Sequence, residues 1–389
     1  MKNRIIHLLN NISPYGLRDF REGYTTTSNF AEAHGALVRS ADMHEMEFPP
    51  SLRAIARAGV GVNNIPLDRC AEQGIVVMNT PGANANGVKE LVVAALMMAS
   101  RDIVGGIEWV KDNADDPDIA AKVEKAKKAF AGNEILGKSI GVIGLGAIGV
   151  QVANICAYLG MTVYGYDPYI SVGSAWRLKR EIKHIETLDE LFEKSDYITV
   201  HVPAIDANKD MLNSFTFAKM KKGVKILNFS RDFVVNDDDI AQALEDGQVS
   251  KYVTDFANPK TVRMKNTVVI PHLGASTEES EDNCALMAVR QLQNYLDNGN
   301  IKNSANYPDM DAGVCRVESR IACLHRNAPN MLGQLTAIMG EADINIANMQ
   351  NASRGKYAYT LMDIDTRITD EALEKIRAIN GMLRVRIVK

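Results

Sequence analysis

SIGVIGLGAIG, Ser139 to Gly149, is the stretch that decides the fold. An apolar run, Ile140 to Ile143, passes directly into G-x-G-x-x-G at Gly144, Gly146 and Gly149, and VQVANICAYL from Val150 to Leu159 then has a helical composition. A buried strand that turns on glycines into a helix is the opening of a dinucleotide-binding unit. The first glycine permits the tight turn, the second lets a pyrophosphate approach the helix N-terminus, and the third allows helix and strand to lie close. Asp167 ends the following strand, TVYGYDP, at about the ~20-residue interval where a carboxylate can accept hydrogen bonds from ribose hydroxyls. A carboxylate there repels a 2′-phosphate, so the expected cofactor is NAD and not NADP. A flavin or S-adenosylmethionine site competes on the glycine turn alone, and residues further along the chain weigh against both.

Beyond this unit the strand-like segments DYITVHVP, VKILNFS, YVTDF and TVVIPH alternate with helices, which predicts a doubly wound parallel sheet. Upstream, from Ile5 to Pro81, RIIHLL, GALVRS, the helix-like SLRAIARAG and GIVVMNTPG give a second β/α alternation. A long helix is expected from Val88 to about Trp109, followed by a solvated helix in DDPDIAAKVEKAKKAF. After a helix from Glu278 to Asp297, the Asn/Gly/Asp-rich NGNIKNSANYPDMDAG reads as a linker near Gly299 to Gly313. The remainder has the order βαββαβ, a small ferredoxin-like module. The expected architecture is therefore α/β, with two doubly wound parallel-sheet domains and a C-terminal ferredoxin-like domain.

Composition sets the outer bounds. A chain of 389 residues favours two or three domains, and 46% hydrophobic with 24% charged residues is ordinary for a globular protein. The net charge of −4 argues against nucleic acid or an anionic membrane as partner. The longest apolar stretch, Leu91 to Ala99, is far below the roughly 20 residues of a bilayer span, and no secretory signal is visible. Five scattered cysteines without a C-x-x-C pair fit reduced thiols in the cytoplasm, and no metal site is read from them.

Two strand ends carry candidate chemistry. VKILNFS ends at Arg231 and TVVIP at His272, and ligands of open parallel sheets bind at the carboxyl ends of strands. A guanidinium can hold a carboxylate and a ketone oxygen, and an imidazole can exchange a proton near neutral pH. The pair suits hydride transfer at a 2-hydroxy acid.

NTPG, GVIGLGAIG, YGYDP, NFSRDFVVND and PHLGAST, in this order and spacing, resemble the D-isomer-specific 2-hydroxyacid dehydrogenases. VRS at Val38–Ser40, RAGVGVNNI at Arg57–Ile65, HLGASTEES and the C-terminal module resemble the branch of that family that acts on 3-phosphoglycerate. The resemblance implies a substrate domain at 1–94 with 271–300, an NAD domain at 95–270, a linker at 301–317 and an ACT-like regulatory domain at 318–389. It implies that Arg231 binds the substrate carboxylate and that His272 is the acid/base. Arg39 and Arg57 would take the phosphate end, and the loop Asn84, Ala85, Asn86, Gly87 would meet the carboxylate. Cofactor contacts would come from Gly144, Gly146, Ala147, Ile148, Gly149, Asp167, Phe229, Arg231, Asp255, His272 and Gly274. The ACT-like module would bind L-serine as an effector through His325, Asn327 and Asn345, and the chain would form a homodimer or a higher homo-oligomer. Two other readings stay open: another D-2-hydroxyacid dehydrogenase, and a non-catalytic NAD(H)-sensing protein on the same fold.

The sequence departs from the family in two places. Asn330 stands where ACT modules usually carry glycine. Asn258 occupies the slot of the glutamate that usually pairs with the catalytic histidine. An amide can orient an imidazole but adds no charge, so the imidazolium would lack support unless Asp255, Glu278 or Glu279 reaches it.

Overall fold

Short apolar runs buried on both faces build the first sheet: GALV at β3 (Gly35–Val38), AIAR at β4 (Ala54–Arg57) and VVM at β5 (Val76–Met78). With β1 (Arg4–Leu8) and β2 (Tyr24–Thr27) they pair in parallel in the order β2-β1-β3-β4-β5. The stretch SLRAIARAG, expected to be helical, is the strand β4. Its apolar run is only Ala54 to Ala56, fully enclosed, and runs this short do not distinguish strand from helix by period. The computed structural model describes residues 3–389. They divide into two compact units, one running to Ala83 and resuming at Glu281–Lys389, the other spanning Asn84–Ser280.

The second unit holds seven parallel strands: β6 (Ser139–Ile143), β7 (Thr162–Tyr166), β8 (Lys183–His184), β9 (Tyr197–Val200), β10 (Val224–Asn228), β11 (Val249–Thr254) and β12 (Thr267–Val269). Their order is β12-β11-β10-β9-β6-β7-β8, so the direction of winding reverses between β6 and β9. That reversal opens a crevice at the carboxyl ends, where ligands of such sheets bind. The expected single helix from Val88 to Trp109 is two, Ala85–Ser100 and Ile103–Asp112, broken at Arg101, whose backbone is extended. The first buries Val88, Val92, Ala95, Leu96 and Ala99 on the same core as β6 and the helix Ala147–Tyr158. This burial puts the boundary at Asn84 and not near residue 95. The charged stretch forms the helix Ile119–Ala126 with no buried residue, as a solvated helix should.

The C-terminal part of the first unit contains β13 (Ser319–Arg326), β14 (Ile346–Arg354), β15 (Tyr357–Ile364) and β16 (Met382–Ile387), with helices Met331–Glu341 and Asp370–Arg377 in βαββαβ order. Its sheet is antiparallel, β14-β15-β13-β16. Alternation along the strands sends Ile321, Cys323 and Met362 against the module's own helices, which present Leu335, Met339 and Ile376. The opposite face, with Ala322, Leu324, Tyr359 and Leu361, shares one core with Ile6, Ala54, Leu292 and Leu296.

Residues 301–317, expected to be a linker, are built into the same unit. Tyr307 is fully buried and donates from its hydroxyl to Ala71 O at 2.7 Å. The Asn306 amide accepts from Val77 N and donates to Ile75 O, acting as an added strand on β5. Asparagine-rich composition suggested a loop, but here a side-chain amide replaces a backbone partner. No helix among the described residues is long and apolar enough to cross a membrane.

Candidate active site

The glycines of the turn after β6 differ in what they permit. Gly144 has φ +89°, and a Cβ there would lie 2.6 Å from His201 O. A Cβ on Gly149 would lie 1.8 Å from Gly144 O, so only glycine lets the helix start this close. A Cβ on Gly146 would meet nothing within 4 Å, which leaves the open approach that a pyrophosphate needs. Asp167, at the end of β7, is tied to the turn: Oδ2 accepts from Leu145 N at 2.8 Å and Oδ1 from Tyr169 N at 2.9 Å. These residues fit a dinucleotide, with Ala147 and Ile148 in the first helical turn.

Beneath the turn, His201 sets its Nε2 2.9 Å from Thr199 Oγ1, while its Nδ1 is buried without a partner among the described residues. Burial pushes its pKa down to about 3, so it is a neutral strut. No motif in the sequence singles it out.

Arg231 follows β10 in a locked turn. Asn228, fully buried, accepts from Ser230 N at 3.1 Å and donates to Arg231 O at 2.9 Å, while Ser230 Oγ donates to Val202 O at 2.6 Å. The polar end of the apolar strand VKILN was the signal for this clamp, since an Asn closing such a strand makes an Asx-type turn. Phe229 is 5% exposed and packs in the core.

At the ends of β11 and β12 stand Asp255 and His272. Asp255 Oδ2 lies 3.4 Å from His272 Nδ1, with the carboxylate 2% exposed and the imidazole 62% exposed. The Phe256 ring tilts against the imidazole at 5.1 Å. Burial holds the Asp255 carboxyl above the usual range, and the positive charges of His272 and Arg231 act against that rise. Asp255 Oδ1 is buried with no hydrogen-bond partner among the described residues.

Asn258 does not reach His272. Its Nδ2 donates to Asp237 Oδ2 at 3.0 Å and Asp232 Oδ1 at 3.4 Å, and its Oδ1 accepts from Lys260 N and Thr261 N. The amide closes its own loop, so the expectation that it could orient the imidazole is corrected. Asp255 is the carboxylate that faces the ring.

The loop Asn84–Gly87 arrives at the same place. A Cβ on Gly87 would lie 2.8 Å from Gly274 O, and one on Gly274 would lie 3.0 Å from Val88 Cγ2 and 3.9 Å from Asp255 Oδ2. Asn84 Oδ1 is buried without a partner among the described residues, Ala85 is buried, and Asn86 bonds with Glu90 and Lys89. The second unit thus brings together the dinucleotide turn, Asn84–Gly87, Arg231, Asp255, His272 and Gly274.

Arg39 and Arg57 belong to the first unit. Arg57 donates from Nε to Arg39 O at 2.9 Å and from Nη1 to Gly61 O, and burial with the neighbouring Arg39 charge lowers its pKa. Arg39 pairs with Glu281 at 2.5 Å, both half exposed. In the C-terminal module His325 is 2% exposed, with Nδ1 2.9 Å from Arg326 O and Nε2 2.8 Å from Thr360 Oγ1. Asn327 donates to Gly355 O, and Asn345 donates to Asp365. His325 pairs with Ala358 and Asn345 O accepts from Asp365 N, so the two sit about 23 Å apart along β15 at the usual ~3.3 Å rise. One copy does not bring them together.

A model of the D-isomer specific 2-hydroxyacid dehydrogenase, NAD binding domain, matches residues 93–274. D-3-phosphoglycerate dehydrogenase of Haemophilus influenzae is 30% identical over 359 residues, covering 88% of this chain and 83% of that protein. That of Escherichia coli K12 is 30% identical over 356 residues, covering 87% and 82%. Among solved structures, Rhodotorula graminis D-mandelate dehydrogenase superposes with a TM-score of 0.66 at 21% identity, covering 78% of this chain and 97% of that one. NAD+-bound 3-phosphoglycerate dehydrogenase of Entamoeba histolytica gives 0.60 at 24%, covering 78% and 99%. These structural likenesses establish the fold, and the curated relatives carry the family. The chain belongs to the D-3-phosphoglycerate dehydrogenase family of D-isomer-specific 2-hydroxyacid dehydrogenases.

Proposed function

We propose that the protein interconverts 3-phospho-D-glycerate and 3-phosphohydroxypyruvate with NAD, the entry step of the phosphorylated route to L-serine. The observation that carries this reading is the pairing of Asp255 with His272 beside Arg231, next to a turn shaped for a dinucleotide. When bound, the nicotinamide supplies or accepts hydride at substrate C2. Arg231 holds the substrate carboxylate and polarises the C2 oxygen through its fork of donors. His272 gives a proton to that oxygen in reduction and takes it in oxidation. Asp255 keeps Nδ1 protonated and directs Nε2 to the substrate, and its charge stabilises the imidazolium. Its 3.4 Å separation is typical of a pair that tightens only when substrate binds. The free amides at the start of the helix Ala85–Ser100 receive the carboxylate, and Arg39 with Arg57 receives the phosphate. Asp167 selects NAD. Specificity constants for 3-phosphohydroxypyruvate and unphosphorylated hydroxypyruvate test the assignment: a strong preference for the phosphorylated acid supports it, and parity overturns it.

The C-terminal module reads as an ACT-like, ferredoxin-like domain, on its βαββαβ order and the sheet order β14-β15-β13-β16. Its edge strand β14 has a free side. Because His325 and Asn327 lie at the other end of the sheet from Asn345, an L-serine site needs two copies set antiparallel, which joins the effector to a homodimer. Asn330 takes φ +59°, the left-handed conformation that glycine would supply, so the loop keeps its shape. Exposed Ile103, Ile107 and Val110, at helical spacing, suit a second pairing surface. The five unpaired, buried thiols fit a cytoplasmic setting.

A further inference from the structure

At the amino ends of the first sheet, where its strands begin, four guanidiniums gather around the last turn of the helix Glu278–Asn298. Arg4 and Arg386 both donate to Leu296 O, at 2.9 and 3.2 Å, and the Arg386 guanidinium lies 4.4 Å above the Tyr295 ring. Arg384 donates to Leu52 O and Pro50 O. Capping a helix C-terminus explains one donor of Arg4 and one of Arg386. It does not explain the rest.

Arg4 Nε, Arg386 Nη1 and the Tyr295 hydroxyl are buried with no hydrogen-bond partner among the described residues, on side chains of residues 5%, 7% and 0% exposed. Arg53 makes no side-chain hydrogen bond or ion pair among the described residues. Burial, with the charges of Arg386, Arg4 and Arg384 added, lowers the pKa of Arg53 to about 10. Burial, with Arg53, Arg4 and Arg386 nearby, likewise holds His34 below its usual value, and its Nδ1 accepts from Ile5 N. The acid at hand is Asp297, 3.9 Å from Arg4 and shared with Arg21 and the Tyr24 hydroxyl. Four cations against one shared carboxylate leave an excess of positive charge, beside buried donors that no described residue satisfies.

We propose that Arg4, Arg53 and Arg386, with the Tyr295 hydroxyl, form a binding site for a small oxyanion of the phosphate class. Its ligand bridges the first sheet (Arg4, Arg53) and the last strand of the C-terminal module (Arg386), so binding clamps the module down. The site lies at the amino ends of the strands, opposite Arg57, which ends β4, and Arg39, which follows β3. It is independent of the catalytic reading.

The test is thermal unfolding of the full chain titrated with inorganic phosphate at constant ionic strength, with chloride as the control. Phosphate raises Tm saturably by several degrees and chloride does not. Arg39→Ala, which removes the candidate substrate-phosphate pocket, keeps a saturable rise, and adding Arg386→Met or Arg53→Met to it abolishes that rise. Arg53→Met breaks no hydrogen bond, so it reports even if Arg386→Met fails to fold. A rise equal to that with chloride, a rise lost in Arg39→Ala alone, or one that survives in Arg39→Ala with Arg53→Met, overturns the proposal.

Discussion

His272 Nδ1 stands 3.4 Å from Asp255 Oδ2 at the ends of two neighbouring parallel strands, so the proposed acid/base faces a carboxylate other than the one expected at position 258. The pair sets up a conflict between stability and activity. The folded environment raises the Asp255 carboxyl pKa, so its favourable contribution is complete below the unfolded carboxylate pKa and is lost as pH rises through the folded value. At neutral pH the buried charge costs stability. Asp255→Asn is therefore expected to raise Tm at neutral pH while lowering turnover by about 10²–10⁴-fold. Melting curves and kcat on one preparation check both signs.

Asn258→Glu is expected to leave the pH–rate profile in place. It would set a third carboxylate against Asp237 and Asp232, where burial and Asp232 already raise the Asp237 carboxyl pKa. The loss of the two accepted backbone bonds adds to that, for about 1–3 kcal/mol in all. Denaturant unfolding and a pH–kcat/KM series separate the effects.

The glycine turn gives a paired prediction. Gly146→Ala should fold normally, because its Cβ meets nothing, yet weaken NADH binding by intruding on the pyrophosphate path. Gly149→Ala should lower Tm as well, because its Cβ would meet Gly144 O at 1.8 Å. Fluorescence titration with NADH and thermal melts distinguish them.

Arg39 and Arg57 should also diverge. Arg39→Ala breaks only a half-exposed pair with Glu281, worth about 0–1 kcal/mol, so it should raise KM for the phosphorylated acid with little change in Tm. Arg57→Ala also frees two backbone carbonyls, Arg39 O and Gly61 O, and should lower Tm together with the KM effect.

The dinucleotide turn, Asp167, Arg231 and His272 were legible because strand ends and glycine spacing leave a local pattern. Asn228 was missed although its turn with Ser230 N and Arg231 O is local, whereas Ser230 and His201 were missed because Val202 O and the Gly144 turn reach them from other strands. The short strand β4 was misread because Ala54, Ile55 and Ala56 suit either element, and only cover on both faces decides. Residues 301–317 were read as a linker because Asn306 and Tyr307 bond to chain more than 200 residues away.

The most direct test is NADH oxidation with 3-phosphohydroxypyruvate by the intact chain and by His272→Gln. The account predicts turnover by the intact chain, a loss of about 10²–10⁴-fold in kcat in the variant, and unchanged NADH binding by fluorescence. Full turnover in His272→Gln, or none in the intact chain with NADH bound, would contradict it.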